Sequence, residues 1–202
     1  MKELIKLPVI LTIVTVVAAG ALAWVFNTTK PKIEAEKKLV QQLALKQSLP
    51  KAAKGVIVPV KKGDQILYYK GYASPDTTHL VGYIILSSAH GYSSTIEVMV
   101  GVDTTGMIQG IKILSQSETP GLGAKITEVK YGDKWPWFQH QFIGKKGDNL
   151  QVDKDGGEIK SVTGATISSR AVTRAVREGV LKLEKLLGKK TSPENQLSLI
   201  VN

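Results

Sequence analysis

Two short segments of the chain combine residue types that suit binding of a phosphorylated ligand. The first covers residues 163–169 and reads Thr-Gly-Ala-Thr-Ile-Ser-Ser, directly before an amphipathic stretch. A helix that opens here leaves its first backbone N–H groups unpaired at the positive end of its dipole, and both features favour a phosphate. Gly164 and Ala165 allow close approach to the backbone. Thr166, Ser168 and Ser169 add hydroxyls, and Arg170 adds a positive charge. The alternative is an ordinary helix cap, because Ser and Thr are common capping residues.

The second segment covers residues 118–125 and reads Glu-Thr-Pro-Gly-Leu-Gly-Ala-Lys. The Pro-Gly pair at 120–121 is a turn signal, and Gly123 permits a second unusual backbone angle. Backbone N–H groups in such a loop can face a ligand, and Lys125 can meet a phosphate or an electron-rich ring. The alternative is a plain connecting loop.

The elements that must position these segments are a set of strands and one helix. Five segments have the composition of β-strands: residues 55–60, 65–72, 80–87, 95–102 and 107–114. The last two flank a turn at 103–106 and predict an antiparallel hairpin. A final helix is predicted from apolar residues at spacings of 4, 4, 3 and 4 between Val172 and Leu187. Strands clustered before a final helix indicate an α+β fold with an antiparallel sheet.

Aromatic residues are concentrated at 135–142, which reads Trp-Pro-Trp-Phe-Gln-His-Gln-Phe. Such a cluster can either pack in a core or stack on a planar ligand. Packing is the favoured interpretation.

The N-terminal region indicates a membrane anchor. Residues 7–29 carry no charged side chain, and the 20 residues from Leu7 to Phe26 are dominated by apolar types. Twenty helical residues extend about 30 Å, the thickness of the hydrocarbon layer of a bilayer. A cleaved signal peptide is the alternative, because Ala-Leu-Ala at 21–23 resembles a cleavage site. The apolar run continues past that site, which favours the anchor.

A helix is also predicted over 33–48, either separate from the membrane helix or continuing it with a break or kink near Pro31, and ending at Pro50. The sequence therefore divides into an anchor at 1–29, a helical linker at 30–54, a ligand-binding domain at 55–190 and a tail at 191–202.

Composition excludes several kinds of chemistry. The 202 residues contain no cysteine, so the chain has no disulfide, no thiolate metal site and no cysteine-held iron–sulfur cluster. The three histidines lie far apart, so no metal site is expected. The formal charge is +10, but the basic residues are scattered and only three are arginine, which disfavours nucleic acid. There is also no P-loop, dinucleotide-binding fingerprint or nucleophile elbow.

The order of these features resembles a known family. A membrane helix, Glu-Thr-Pro-Gly-Leu-Gly at 118–123, a Trp/Phe segment and Thr-Gly-Ala-Thr at 163–166 follow one another. This arrangement is similar to that of the FMN-binding G subunit of the Rnf electron-transport complex and of the related C subunit of the sodium-pumping NADH:quinone reductase. The resemblance extends from the anchor to about Leu187.

The resemblance implies that FMN is attached covalently, as a phosphoester, to Thr166 by a separate flavin transferase that uses FAD. It also implies that residues of both segments bind the flavin: Glu118, Thr119, Gly121, Leu122, Gly123, Lys125, Thr163, Gly164, Ala165 and Ser168. The soluble domain is expected on the extracytoplasmic side of the cell membrane, although the lysines that flank the anchor weakly favour the opposite orientation.

Two positions depart from the family pattern. Members commonly carry Asp three residues before the Ser/Thr of the motif and His two residues before the Glu of the loop. This chain has Lys160 and Gln116 at those positions. Because the transferase must recognise the motif, Lys160 bears on the efficiency of flavin attachment.

The function expected from these features is electron relay within a membrane redox complex, together with the other subunits of that complex. The chain would hold the flavin and tune its potential, and the lysines near it, Lys125 among them, would favour the anionic reduced form. No residue is expected to act as a catalytic acid, base or nucleophile. Two alternatives are a flavin-binding sensor or assembly factor and a cofactor-free, membrane-tethered adapter.

Overall fold

A computed structural model describes residues 2–130, 132–133, 135–147 and 149–188. The elements are helix α1 (Lys2–Ser48), five strands, the short helix α2 (Trp137–His140) and helix α3 (Thr166–Leu186). Single turns of 3-10 helix lie at Pro50–Ala52, Gly123–Thr127 and Asp153–Asp155. The tail expected at 191–202 lies outside the described residues.

Helix α1 is continuous from Lys2 to Ser48 and contains both Pro8 and Pro31. The break expected near Pro31 is absent. Residues 1–42 form a unit of their own, whose apolar side chains from Leu7 to Phe26 are exposed. The hydroxyl of Thr12 donates to the carbonyl of Pro8 at 2.8 Å, and three further threonines of the helix bond to its carbonyls in the same way. By length and composition this helix is suited to cross a membrane, and among the described residues no other helix is.

The second unit begins at Leu43 and contains an antiparallel sheet. Its strands are β1 (Ile57–Lys62), β2 (Gln65–Tyr72), β3 (Leu80–His90), β4 (Thr95–Asp103) and β5 (Ile108–Ser115). Each strand pairs with its neighbour in the sequence, so the order across the sheet is β1-β2-β3-β4-β5. The predicted hairpin is confirmed, with Val100 opposite Ile111. The α+β fold class and the antiparallel sheet are likewise confirmed.

Helix α3 packs on β3 and β4 and forms one face of the main core. Its apolar positions, among them Val172, Val176 and Leu183, are at most 1% exposed, as their spacing predicts. Phe138 and Phe142 of the aromatic segment are fully buried in the same core. These two side chains of the aromatic segment therefore pack in the core, as the favoured interpretation of that segment predicted.

The opposite face of the sheet is covered by the chain that leads into it. Leu49 is fully buried there together with Ile84 and Met99. A side chain at Gly101 would lie 2.0 Å from the carbonyl oxygen of Ser48, so the sheet has room for this segment only because the position is glycine. The compact unit starts at Leu43.

Candidate functional site

The carboxylate of Glu118 connects three segments that are distant in the sequence. Its Oε1 accepts hydrogen bonds from the backbone N–H groups of Ser93 and Ser94, each at 3.0 Å, and from the Ser94 hydroxyl at 3.1 Å. Its Oε2 accepts from the backbone N–H of Tyr92 at 3.1 Å and from the hydroxyl of Ser168 at 2.5 Å. The loop after β5, the turn between β3 and β4 and the start of α3 therefore meet at one side chain.

These hydrogen bonds determine the ionisation of Glu118, which is only 5% exposed. Burial alone would raise the pKa of this carboxyl, but the hydrogen bonds from Ser168 and from the three backbone N–H groups outweigh it. They lower the pKa from 4.5 to about 2. Glu118 therefore carries its negative charge at any physiological pH, and five donors compensate that charge.

The start of α3 lacks a side-chain cap. Its N-cap residue is Ala165, which offers no oxygen to the first N–H groups of the helix. The hydroxyls of Ser168 and Ser169 are engaged elsewhere, since Ser168 donates to Glu118 and Ser169 donates to the carbonyl of Ala165 at 2.9 Å. The interpretation of this motif as an ordinary cap is therefore wrong. The first N–H groups of α3 remain available to an anion.

The uncapped helix start and the Glu118 loop border one cavity of about 410 Å³. Eight of the expected site residues line it: Glu118, Thr119, Leu122, Gly123, Gly164, Ala165, Thr166 and Ser168. Gly121, Lys125 and Thr163 are exposed and lie outside this lining.

Two residues that line the cavity, Tyr92 and Ile167, were not predicted as site residues from the sequence. Ile167 follows Thr166 directly, so its place in the motif was a usable signal. Tyr92 lies in the turn between β3 and β4 and reaches the cavity only through the bonds from this turn to Glu118. No local pattern at Tyr92 indicates that contact.

Thr166 differs from Ser168 and Ser169 in the same motif because its hydroxyl is uncommitted. It lines the cavity and is partly exposed, and within the described residues its Oγ1 has no hydrogen-bond partner. The preceding Gly164 has φ of +76°, a left-handed conformation that a side chain disfavours. The backbone thus turns sharply just before α3 and leaves the Thr166 oxygen accessible from the cavity.

Gly123 permits the close contact between the Glu118 loop and α3. A Cβ at Gly123 would lie 2.6 Å from the Ser168 hydroxyl and 2.8 Å from Glu118. Any side chain there would displace the hydrogen bond between those two residues. The contact between the loop and α3 therefore depends on the absence of a side chain at this position.

The two residues that depart from the family pattern have defined contacts. The Oε1 of Gln116 accepts from the backbone N–H of Glu118 at 2.8 Å and so supports the loop. The backbone of Lys160 exchanges two hydrogen bonds with the amide of Gln141, at 2.8 and 3.1 Å, while its side chain is exposed. Lys160 is therefore a surface residue close to the motif. Among the described residues, no group of three or more His, Asp or Glu side chains could hold a metal ion.

Comparison with known proteins agrees with this geometry. Residues 91–180, which contain both segments of the site, match the model of the FMN-binding domain. The chain is 33% identical to the G subunit of the ion-translocating oxidoreductase complex of Methanosarcina acetivorans, over 89% of this chain and 94% of that protein. It is also 33% identical to the G subunit of the Na(+)-translocating ferredoxin:NAD(+) oxidoreductase complex of Acetobacterium woodii, over 92% and 94%.

A solved structure shares the fold. It is that of the C subunit of the Na(+)-translocating NADH-quinone reductase from Parabacteroides distasonis, with a TM-score of 0.55 and 20% identity. The match covers 78% of this chain and 98% of that one.

Proposed function

The chain belongs to the family of G subunits of ion-translocating oxidoreductase complexes, and on that premise we propose that it carries electrons through FMN attached at Thr166. The observation that carries the proposal is the arrangement at the start of α3. An accessible hydroxyl, that of Thr166, stands at a helix terminus whose N–H groups have no side-chain cap. One site thus offers both an attachment point and donors for a phosphate.

The cavity offers a volume and hydrogen-bond donors that suit FMN. A volume of about 410 Å³ lies within the range of small-molecule sites, which is about 300–1,000 Å³. The helix start would hold the phosphate, and Tyr92, Leu122 and Ile167 supply apolar surface for the remainder. Glu118 is only 5% exposed, and both of its carboxylate oxygens are engaged by hydrogen bonds within the protein.

Attachment requires a flavin transferase and FAD. The Thr166 oxygen would replace the AMP portion of FAD at the FMN phosphorus, and the hydroxyl proton would be released. The product is a phosphodiester that remains when the protein unfolds. Bound FMN can accept one or two electrons, which allows relay between one-electron and two-electron carriers.

The tasks of the protein in this relay are to bind and to orient. Glu118 fixes the loop against α3, Gly123 allows the two to approach, and the helix dipole favours the negative phosphate. No residue of the site has to transfer a proton for the relay. We place the domain outside the cytoplasm, anchored by α1, on the basis of the family resemblance. Protease added to sealed right-side-out vesicles should then remove the domain.

The proposal is tested by expressing the full chain together with a flavin transferase and examining denatured samples on a gel for flavin fluorescence. The wild-type chain should fluoresce, and T166A should not. The matched control is T95A, which removes an exposed hydroxyl at the start of β4 and should retain the signal. Fluorescence of T166A equal to that of T95A would refute attachment at Thr166. A wild-type chain without flavin would favour the cofactor-free adapter.

A further inference from the structure

All three arginines of the chain line one groove on α3. They lie at positions 170, 174 and 177, at spacings of four and three residues, which places them on one face of the helix. The groove has a volume of about 310 Å³. The other 24 basic residues are lysines. Arginine, which can bind a carboxylate through two parallel hydrogen bonds, therefore occurs only in this groove. We name this surface the arginine groove, and its polar lining consists of His90, Gln151, Asp155, Arg170, Thr173, Arg174 and Arg177.

The three guanidinium groups differ in how far the protein already uses them. Arg170 forms a two-pronged contact with Asp155, with Nε–Oδ2 at 2.8 Å and Nη2–Oδ1 at 2.5 Å. Arg174 makes one hydrogen bond, from Nη2 to the carbonyl oxygen of His90 at 3.2 Å. Within the described residues, Arg177 has neither an ion pair nor a hydrogen bond from its side chain. Arg174 and Arg177 therefore retain most of their donors for a ligand.

The charge of the arginine groove selects an acidic occupant. Three guanidinium groups against the single carboxylate of Asp155 leave a net charge of +2. From Arg170 to Arg177 the groove follows α3 for about 10 Å, at 1.5 Å per residue. That length exceeds a single phosphate or carboxylate and suits several carboxylates along an extended chain. Apolar side chains of Leu150 and Val152 complete the lining.

The arginine groove lies beside the proposed flavin cavity. Ile167 lines both, and Arg170 is one helical turn beyond Thr166. Arg174 contacts the last residue of β3, His90, and the turn that follows His90 is held by Glu118. A protein segment in the groove would thus reach the edge of the flavin site.

We propose that the arginine groove is a docking surface for an acidic segment, rich in Asp or Glu, of a neighbouring protein subunit. Its carboxylates would pair with Arg174 and Arg177, and each pair would be a charge-assisted contact with two hydrogen bonds. That such docking serves electron transfer rests on the function proposed above. The docking itself requires no flavin.

The test measures binding of fluorescein-labelled hexaglutamate to the full chain in detergent, by fluorescence anisotropy at about 20 mM salt, where exposed charges are weakly screened. The wild-type chain should bind, and the double variant R174Q/R177Q should bind about tenfold more weakly, as expected for two lost charge-assisted contacts. The matched control is K182Q/K185Q, which removes two charges from exposed positions of the same helix outside the groove and should change the affinity less than about twofold. Equal weakening by both double variants would show general charge attraction and overturn the proposal, as would no binding to the wild type.

Two further measurements complete the test. Displacement of the peptide by inorganic phosphate at about the same molar concentration would assign the groove to a small anion instead, because a single phosphate cannot match contacts spread over several carboxylates. R177Q alone, which breaks no contact within the described protein, should weaken binding without a change in thermal stability. Gel fluorescence of the flavin in R174Q/R177Q should equal that of the wild type, so failure of the docking proposal is distinguishable from failure of the flavin proposal.

Discussion

Replacement of Glu118 by Gln tests the electrostatic design of the site. The variant keeps the shape of the side chain but removes the negative charge of a carboxylate that accepts five hydrogen bonds. It also places the amide NH2 group, a hydrogen-bond donor, opposite groups that are themselves donors. A pKa lowered from 4.5 to about 2 corresponds to about 3 kcal/mol of folding free energy, at about 1.4 kcal/mol per pKa unit. E118Q should therefore be about 3 kcal/mol less stable than the wild type at pH 7.

The pH dependence gives the sharper result. In the folded protein Glu118 stays ionised down to about pH 2, whereas in the unfolded chain it binds a proton near pH 4.5. The stabilisation is thus complete above pH 4.5 and declines as the pH falls towards 2. The difference in stability between the wild type and E118Q should follow that decline.

The assay is urea unfolding of the full chain in detergent, without flavin, followed by tryptophan fluorescence between pH 7 and pH 3. Trp137 reports on the domain because it packs against the main core. E128Q, which removes a charge from an exposed position near the same loop, serves as the control and should unfold like the wild type. A constant stability difference between the wild type and E118Q across this range would refute the reasoning.

Two further predictions concern the sheet and the motif. G101A should lower the free energy of unfolding by about 1–3 kcal/mol, because its Cβ would lie 2.0 Å from the Ser48 carbonyl oxygen. The control is G20A, where the space around the position is open. G20A should cause no loss of stability in the same urea titration. K160D, which restores the residue common in the family, should raise the fraction of chains labelled by the transferase without changing stability, because the Lys160 side chain is exposed. Gel fluorescence at a limiting amount of transferase measures this effect, and K61D on β1 is the control. An unchanged labelled fraction for K160D would show that the transferase does not recognise this position.

The sequence predicted those parts of the fold that depend on local patterns. The hairpin of β4 and β5 follows from alternating apolar residues around a turn, and α3 follows from its helical spacing. The sequence allowed the helix over 33–48 to continue the membrane helix, but it predicted a break or kink near Pro31; α1 runs through Pro31 without a break, because proline disfavours a helix interior but does not exclude it. The close approach of Ser48 to Gly101 joins residues 53 positions apart, and no local pattern encodes it.

The candidate site shows the same limit. Its two glycine-containing segments were recognisable because each has a distinctive local composition. The bonds of Glu118 to Tyr92 and to Ser168 span 26 and 50 residues, and they exist only once the sheet and α3 have packed together. The sequence thus predicted most of the residues that line the cavity. The hydrogen bonds by which Glu118 joins the loop, the turn and α3 could be found only in the tertiary structure.

The order of the strands has a consequence for the timing of maturation. Every strand pairs with its neighbour in sequence, so the sheet can assemble through short loop closures, which are fast. Helix α3 comes last in the chain and joins Thr166 and Ser168 to a loop and a turn that formed earlier. The sheet can therefore assemble before α3 packs on it and closes the site around Thr166. Because the cavity beside Thr166 is complete only after α3 has packed against the Glu118 loop, the proposed attachment of FMN at Thr166 would require a folded domain.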